Sequence, residues 1–460
     1  MNSFISEIES TNCVFIGKLD GKIDDTAVPV LAFWNGRQFG VFSAGFYPHQ
    51  IGKEGVHRNA IVVPLPVTEL PEHGVLRLTD ETGARSSEFS LTIQHSVHSN
   101  GLNATQILRL QNSPISKLQY SAMSSGTLRV SGFAQTMFSF DRGACFKDRM
   151  SIAVSSDPGI SIALDPFALA QGHEDVFWYV PAAKYCGVVV DIDLGISVPD
   201  KSEIEVRLEV GSSPDNMLSH TTWVPLDLRR YMNFPDHVRL QRVQADENAV
   251  SVCINGYSDA RRMREIFQIH GLNLYRKHIL DWGCGHGRVL RHFMLDGDLG
   301  RVAGVDIDPD NVSWARTALR SKDFLVGPLM PPTSYEDNSF DGVYGISVMT
   351  HLDPDVQSAW LEEIRRILRP GGLALLTFAG SGSVAYGSMH FSPSWLDEWV
   401  TEGVNATAYE SFDSVIGKKD YYRNVFMTTP FMNSLWSRYM SVEAVYENMF
   451  GYQSVAVLRK

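Results

Sequence analysis

Lys277 to Asp310 reads KHILDWGCGHGRVLRHFMLDGDLGRVAGVDIDPD, and the order of its residue types spells strand, glycine-rich turn, helix, strand and acid. The apolar run His278-Ile279-Leu280 passes through Asp281-Trp282 into Gly283-Cys284-Gly285-His286-Gly287. That is how a buried parallel strand empties into a turn with positive φ angles. A helix is predicted from about His286, with Val289, Leu290, Phe293 and Met294 on one face. The second strand, Arg301 to Asp306, places an acid at its carboxyl end, where open α/β sheets bind ligands. Such a carboxylate can accept both hydroxyls of a ribose, so a nucleoside-bearing ligand is expected here.

The glycine spacing separates two classes of ligand. A dinucleotide fingerprint, G-x-G-x-x-G, would place glycine at position 288. That position is Arg288, and Gly287 completes D-x-G-x-G-x-G instead. This pattern resembles the first motif of class I S-adenosylmethionine-dependent methyltransferases. The resemblance extends through GVDIDPDNV, NSFDGVYGISVMTHLD and EEIRRILRPGG, four motifs in register across Ile279 to Lys460. The segment from Gly345 to Gly380 is further similar to a bacterial subgroup associated with surface-glycan and secondary-metabolite loci.

The resemblance implies S-adenosylmethionine as cofactor and assigns roles by position. Asp281 would stand behind the turn and hold its amides. Gly283, Cys284, Gly285 and Gly287 would admit the methionine part close to main chain, and Asp306 would bind the ribose. Ser347 would also bind the cofactor, and Asp308 reads as the cap of the next helix. The family's usual acid after the third strand is missing, because Val326 to Pro332 reads VGPLMPP. Adenine would then rest on backbone and on Ile307 and Leu329. Tyr257 and Arg261, on the element before the first strand, could reach cofactor or substrate, although surface packing is the ordinary role for such residues.

Around this unit the pattern keeps alternating. Helices are expected at Asn311–Leu319 and Pro354–Leu368, strands at Asp323–Val326, Phe340–Ser347 and Leu373–Ala379, and a closing hairpin at Val442–Tyr446 and Ser454–Leu458. Asp353 is expected to cap the second helix, with Pro354 at its first position. The fold class is therefore a doubly wound α/β sheet with a terminal antiparallel hairpin, over residues 258–460. Ser258 is expected to cap a helix running to about His270.

The first half reads differently. Residues 1–95 carry strand patterns, including a hairpin signal at Asn35-Gly36 and elements at Ala60–Val63 and Val75–Thr79. With the Gly17–Gly21 start, this region resembles small β-sandwich modules appended to bacterial glycan-modifying transferases. Residues 105–222 alternate more cleanly: Ile204, Val206, Leu208 and Val210 interleave with Glu203, Glu205, Arg207 and Glu209. A second β-sandwich is expected there, and 223–257 reads as a connector. Asp191 and Asp193 could mark a calcium site, but acids on a strand's wet face explain them as well.

Composition narrows the function classes. A 460-residue chain suggests two or three domains. The formal net charge of −12 without a basic cluster disfavours nucleic acid as partner. Five cysteines without C-x-x-C spacing point away from a disulfide framework or zinc, so no metal is expected. No run of about eighteen apolar residues occurs and the first residues lack a signal pattern, which leads to the expectation of a cytoplasmic protein without a membrane span.

Methyl transfer to a hydroxyl benefits from a general base. His351, after the fourth strand, and His390, in the long segment after the fifth, are the candidates. That segment, with Tyr386, Tyr421, Tyr422 and Arg423, could wall a small-molecule or saccharide acceptor. The alternatives are a glycan-binding or assembly protein whose methyltransferase domain is inactive, and an enzyme acting on a protein or peptide. The oxygen, nitrogen or carbon nature of the acceptor atom and the oligomeric state stay open.

Overall fold

The computed structural model describes, from residue 202 onward, all but 214–215, 232, 245, 296, 388–390, 392, 409–412 and 414–416. Before that it describes 5–10, 14–19, 27–47, 56–58, 60–64, 73–92, 116–122, 127–134, 150–155, 160–163 and 187–193. His390, Gly21 and the 156–159 turn therefore lie outside the described residues.

The first half is strand-rich. Strands β1 (Ile5–Ser10), β2 (Val14–Leu19) and β6 (Ala60–Pro64) form one sheet. A second has the order β5 (Val56–Arg58), β4 (Arg37–Tyr47), β3 (Ala27–Trp34), β7 (His73–Asp80), β8 (Ser86–Thr92). Asn35 and Gly36 join β3 to β4 with φ of 47° and 84°, the left-handed pair that an Asn-Gly hairpin requires. The 60–63 and 75–79 elements, adjacent in sequence, part company: β6 pairs with β2, whereas β7 pairs with β3 and β8.

Two further sheets follow, β13 (Gly187–Asp193), β10 (Thr127–Ala134), β9 (Ser116–Ala122) and β12 (Ile160–Ala163), β11 (Met150–Val154), β14 (Glu203–Ser213), β15 (Asn216–Pro225). They share one apolar core, to which Tyr120, Val130, Ile152, Ile204, Val206 and Leu208 contribute. Asp191 faces Arg129 across the β10–β13 ladder and pairs with it at 2.7 Å.

The stretch read as a connector holds two helices, α1 (His237–Gln244) and α2 (Ala249–Ile269). The cap of α2 is Asn248, whose side chain accepts from the amides of Val250 and Ser251, so the helix starts nine residues before the expected Ser258. Ser258 is mid-helix, and its hydroxyl accepts from the Trp223 amide at 3.4 Å. Ser251 does the same for Tyr120 at 3.3 Å. Ile254 joins the core of the strand-rich sheets, while Ala260, Met263, Ile266 and Phe267 join the core of the following sheet. One helix thus serves two cores, which is why it is apolar on more than one face.

That following sheet has seven strands in the order β18 (Phe324–Val326), β17 (Arg301–Asp306), β16 (His278–Trp282), β19 (Phe340–Gly345), β20 (Leu368–Phe378), β24 (Gln453–Arg459), β23 (Ser441–Phe450). The first five run parallel, while β24 enters antiparallel to β20 and pairs with β23 as the closing hairpin. The order reverses between β16 and β19, so a crevice opens beyond their carboxyl ends. Helix α3 (Leu290–Met294) starts later than the expected His286, since residues 285–289 are turns. The next two are α4 (Pro309–Ala318) and α5 (Pro354–Ile367). Asp308 caps α4 through the amides of Asp310 and Asn311. Asp353 sits at the start of α5 without a capping bond, because its carboxylate pairs with Arg423 at 2.9 Å. Among the described residues no helix is long and apolar enough to cross a membrane.

Candidate functional site

The turn after β16 is built by backbone geometry. Gly283, Gly285 and Gly287 take φ of 80°, 52° and 77°, values that side chains resist. A Cβ on Gly283 would lie 2.3 Å from Val348 Cγ2, and one on Gly287 would lie 2.8 Å from Leu319 Cδ1. Gly283, Cys284 and Gly285 line a cavity of 820 Å³, and Gly287 does not. The third glycine therefore serves packing between the turn, α4 and β18, while the first two present main chain to the cavity.

Two acids flank the turn. The amides of Gly283 and Cys284 donate to the Val305 carbonyl at 2.8 and 3.1 Å, a task expected of Asp281. Asp281 is buried instead against Tyr344, whose hydroxyl donates to it at 2.9 Å. Burial pushes its carboxyl up to about 7, with the Tyr344 bond pulling the other way. Asp306 accepts from the Gly285 amide at 2.7 Å and from the Asp308 amide at 2.8 Å. Burial raises it to about 6 against those bonds. Each of its oxygens keeps a second lone pair for a further donor.

The rest of the cavity comes from the carboxyl ends of the strands. Ile307, Gly327 and Pro328 line it on the β17–β18 side, and Leu329 does not. Leu329 turns into the core instead, with its carbonyl held by the Tyr421 hydroxyl. Ser347 lines the cavity with φ of 59°, its amide donating to Thr377 Oγ1 at 2.7 Å and its hydroxyl bonded to the Gln453 amide at 2.9 Å. Tyr257 and Arg261 reach neither cofactor side nor cavity. Both bind Glu203 on β14, Arg261 at 2.8 Å.

His351 lines the cavity and stacks on Tyr422, with ring centroids 4.2 Å apart. Its Nδ1 lies 2.8 Å from the Arg423 carbonyl. A carbonyl only accepts, so Nδ1 carries the hydrogen and Nε2 is the nitrogen able to take a proton. Burial lowers the imidazole to about 4, against a small opposing effect of that bond. Thr350, beside it, is buried in the same wall, and its hydroxyl has no hydrogen-bond partner among the described residues. The long segment after β20 is built of α6 (Ser381–Gly387), α7 (Pro393–Glu402) and β21 (Val404–Ala408), and β21 pairs with β22 (Arg423–Met427). Tyr386 of α6, Phe426 of β22 and Phe391, between α6 and α7, line the cavity, with Tyr452 stacked on Tyr386 at 4.3 Å.

A group that joins an amino acid to a nucleoside through a sulfonium needs main chain without side chains, an acid for vicinal hydroxyls and an apolar wall for a base. The turn at Gly283 and Gly285, the half-engaged Asp306, and Ile307 with Pro328 supply these in one cavity, so the residues present fit it.

Residues 280–376 match the family model described as "Methyltransferase domain". Over 107 residues the chain is 31% identical to "Probable methyltransferase ltbC" of Aspergillus luteorubrus, which covers 21% of this chain and 38% of that one. Over 105 residues it is 30% identical to the "Fatty-acid O-methyltransferase" of Mycolicibacterium smegmatis, covering 22% and 37%. The chain thus spans little more than a third of the length of these curated relatives. A solved SAM-dependent methyltransferase from Methanosarcina mazei aligns over 42% of this chain and 96% of its own, at 21% identity and a TM-score of 0.33. Within the carboxyl half, residues 280–376 thus match a methyltransferase domain, a domain whose cofactor is S-adenosylmethionine, and they lie on the seven-stranded sheet described above.

Proposed function

We propose that the chain transfers a methyl group from S-adenosylmethionine to a hydroxyl of a small acceptor with a flat face, an aromatic ring or a sugar. One observation carries this reading: a single cavity runs from the glycine turn and Asp306 to the aromatic group Tyr386, Phe391, Tyr422 and Phe426. Bound there, the cofactor supplies an electrophilic methyl carbon. The chain's own task is to hold and align the acceptor and exclude water, which is worth effective molarities of about 10⁵–10⁸ M in well-oriented systems. Gly283 and Gly285 would hold the amino-acid part, Asp306 the ribose, and Ile307 with Pro328 the base. His351 Nε2 would take the hydroxyl proton. Aromatic faces suit both sugar and ring substrates, and the acceptors named for the relatives do not decide between them. In this reading residues 1–95 and 105–222 form two β-sandwich modules attached to the catalytic half.

Calorimetric titration with S-adenosylhomocysteine tests the cofactor site, and absence of binding would leave the fold as a scaffold without activity. Incubation with methyl-labelled cofactor and small-molecule and glycan extracts tests the acceptor class. Label recovered only on protein would favour a peptide acceptor.

A further inference from the structure

The cavity does not end at the methyltransferase sheet. Lys117 and Gln119 of β9 and His220 of β15 line it, together with Asp259, Arg262 and Arg288. The strand-rich half therefore forms one wall of the site.

Charge in this lobe is unbalanced. Asp259 pairs with two guanidinium groups, Arg262 at 3.2 Å and Arg288 at 2.6 Å, and all three side chains are largely buried. One carboxylate against two guanidiniums leaves a positive surplus, which a low-dielectric site tolerates poorly without an anion. Lys117, exposed on the β9 rim, adds to it. The neighbouring Asp281 offsets this surplus only in part: its carboxyl is turned to Tyr344 and pushed up to about 7 by burial, with Arg288 pulling it the other way.

A hydrogen-bond donor is also unmet. Arg262 Nη2 lies 3.3 Å from His220 Nε2. A guanidinium only donates, so Nε2 accepts and the hydrogen of the neutral ring is on Nδ1. Burial, with Arg262 alongside, keeps that ring neutral. His220 is 9% exposed, and its Nδ1 has no partner among the described residues. Buried donors left unpaired are uncommon, and an oxygen from a ligand would complete this one.

We propose that this lobe is an anion subsite for the methyl acceptor, in which a carboxylate carried by the acceptor is bound by Lys117, the His220 Nδ1–H and the Arg262–Arg288 pair. The inference rests on the methyl-transfer reading and extends it: the strand-rich half takes part in choosing what is methylated. The acceptor then carries a carboxylate at one end and, at the aromatic end of the cavity, a flat hydroxylated group.

The test uses the full chain saturated with S-adenosylhomocysteine, with para-hydroxycinnamate and its methyl ester as calorimetric probes. The acid is expected to bind wild type, and Lys117→Glu and His220→Phe should each weaken it about tenfold or more, as loss of a charge-assisted bond does. The ester should bind wild type and both variants equally. Lys117 is exposed, so its variant keeps the fold even if the His220 variant does not. The subsite is overturned if the acid fails to bind, binds no tighter than the ester, or binds the variants as well as wild type. A fourth result also overturns it: variants that lose affinity for S-adenosylhomocysteine but not for methylthioadenosine, which lacks the amino-acid carboxylate, would show that the anion is the cofactor's own. Failure of S-adenosylhomocysteine to bind wild type would sink the methyl-transfer reading itself, a result distinct from failure of the acid alone.

Discussion

The amide of Gly285 donates to Asp306 Oδ2 at 2.7 Å, tying the turn after one strand to the end of the next. The acid that would hold a ribose also holds the loop against which the rest of the cofactor would lie. Asp306→Ala is therefore expected to act twice. It removes acceptors from two backbone amides, costing about 1–3 kcal/mol of stability, and it lowers S-adenosylhomocysteine affinity roughly ten- to hundredfold. Asp306→Asn keeps an acceptor oxygen, so it should recover most of the melting temperature but little of the affinity. Unchanged affinity in both variants would rule out the ribose role.

Asp306 also sets a pH dependence. Burial raises its carboxyl from the ordinary 3.8 to about 6, and hydroxyl donors favour the ionised form. Affinity for S-adenosylhomocysteine should fall as the pH drops through about 6. For folding the sign is opposite: the native state holds the proton more tightly than the unfolded chain, so this group's contribution to stability declines as pH rises from 3.8 to about 6. Titrations and melts across that window check both directions.

His351 is expected to show no titration in the neutral range. With its imidazole lowered to about 4, the rate should hold down to that region and fall only below it, where Nε2 is protonated. An unperturbed histidine would give a limb near about 6.5. His351→Ala should lower turnover by about 10²–10⁴ if Nε2 is the base, with cofactor affinity unchanged by calorimetry. Full turnover in the variant would mean that alignment alone suffices.

The first and third glycines of the turn should separate in their effects. Gly283→Ala meets both a φ of 80° and the Val348 methyl 2.3 Å away, at the cavity wall, so stability and cofactor binding should both fall. Gly287→Ala meets Leu319 behind the turn. It should lower the melting temperature while leaving measurable affinity in the protein that stays folded.

The glycine turn, the acid ending β17, the cap Asp308 and the closing hairpin were legible because each is written in local spacing. The start of α2 was not. Gly256 falls in the stretch that reads as a connector, yet a Cβ there would lie 2.5 Å from the Arg288 carbonyl, so glycine marks a close crossing inside the helix. Ser258 reads as a cap because its actual partner, Trp223, is 35 residues away. The roles of Tyr257 and Arg261 were hidden likewise, since both depend on Glu203. Leu329 is apolar as a base wall should be, but the hydroxyl of Tyr421, far along the chain, fixes its carbonyl and so its direction. The wall from β9 and β15 left no mark in sequence, since it brings Lys117 and His220 to residues near 285 through sheet packing alone.

Helix α2 constrains how this protein can be dissected. A fragment beginning at Ser258 would cut the helix mid-length, discard the Asn248 cap and remove Val252, Cys253 and Ile254, all fully buried. One beginning at Asn248 would keep the cap but leave Ile254 without the sheets that cover it. Either truncation exposes apolar surface prone to association, so the carboxyl half is better handled with the β9–β15 region attached.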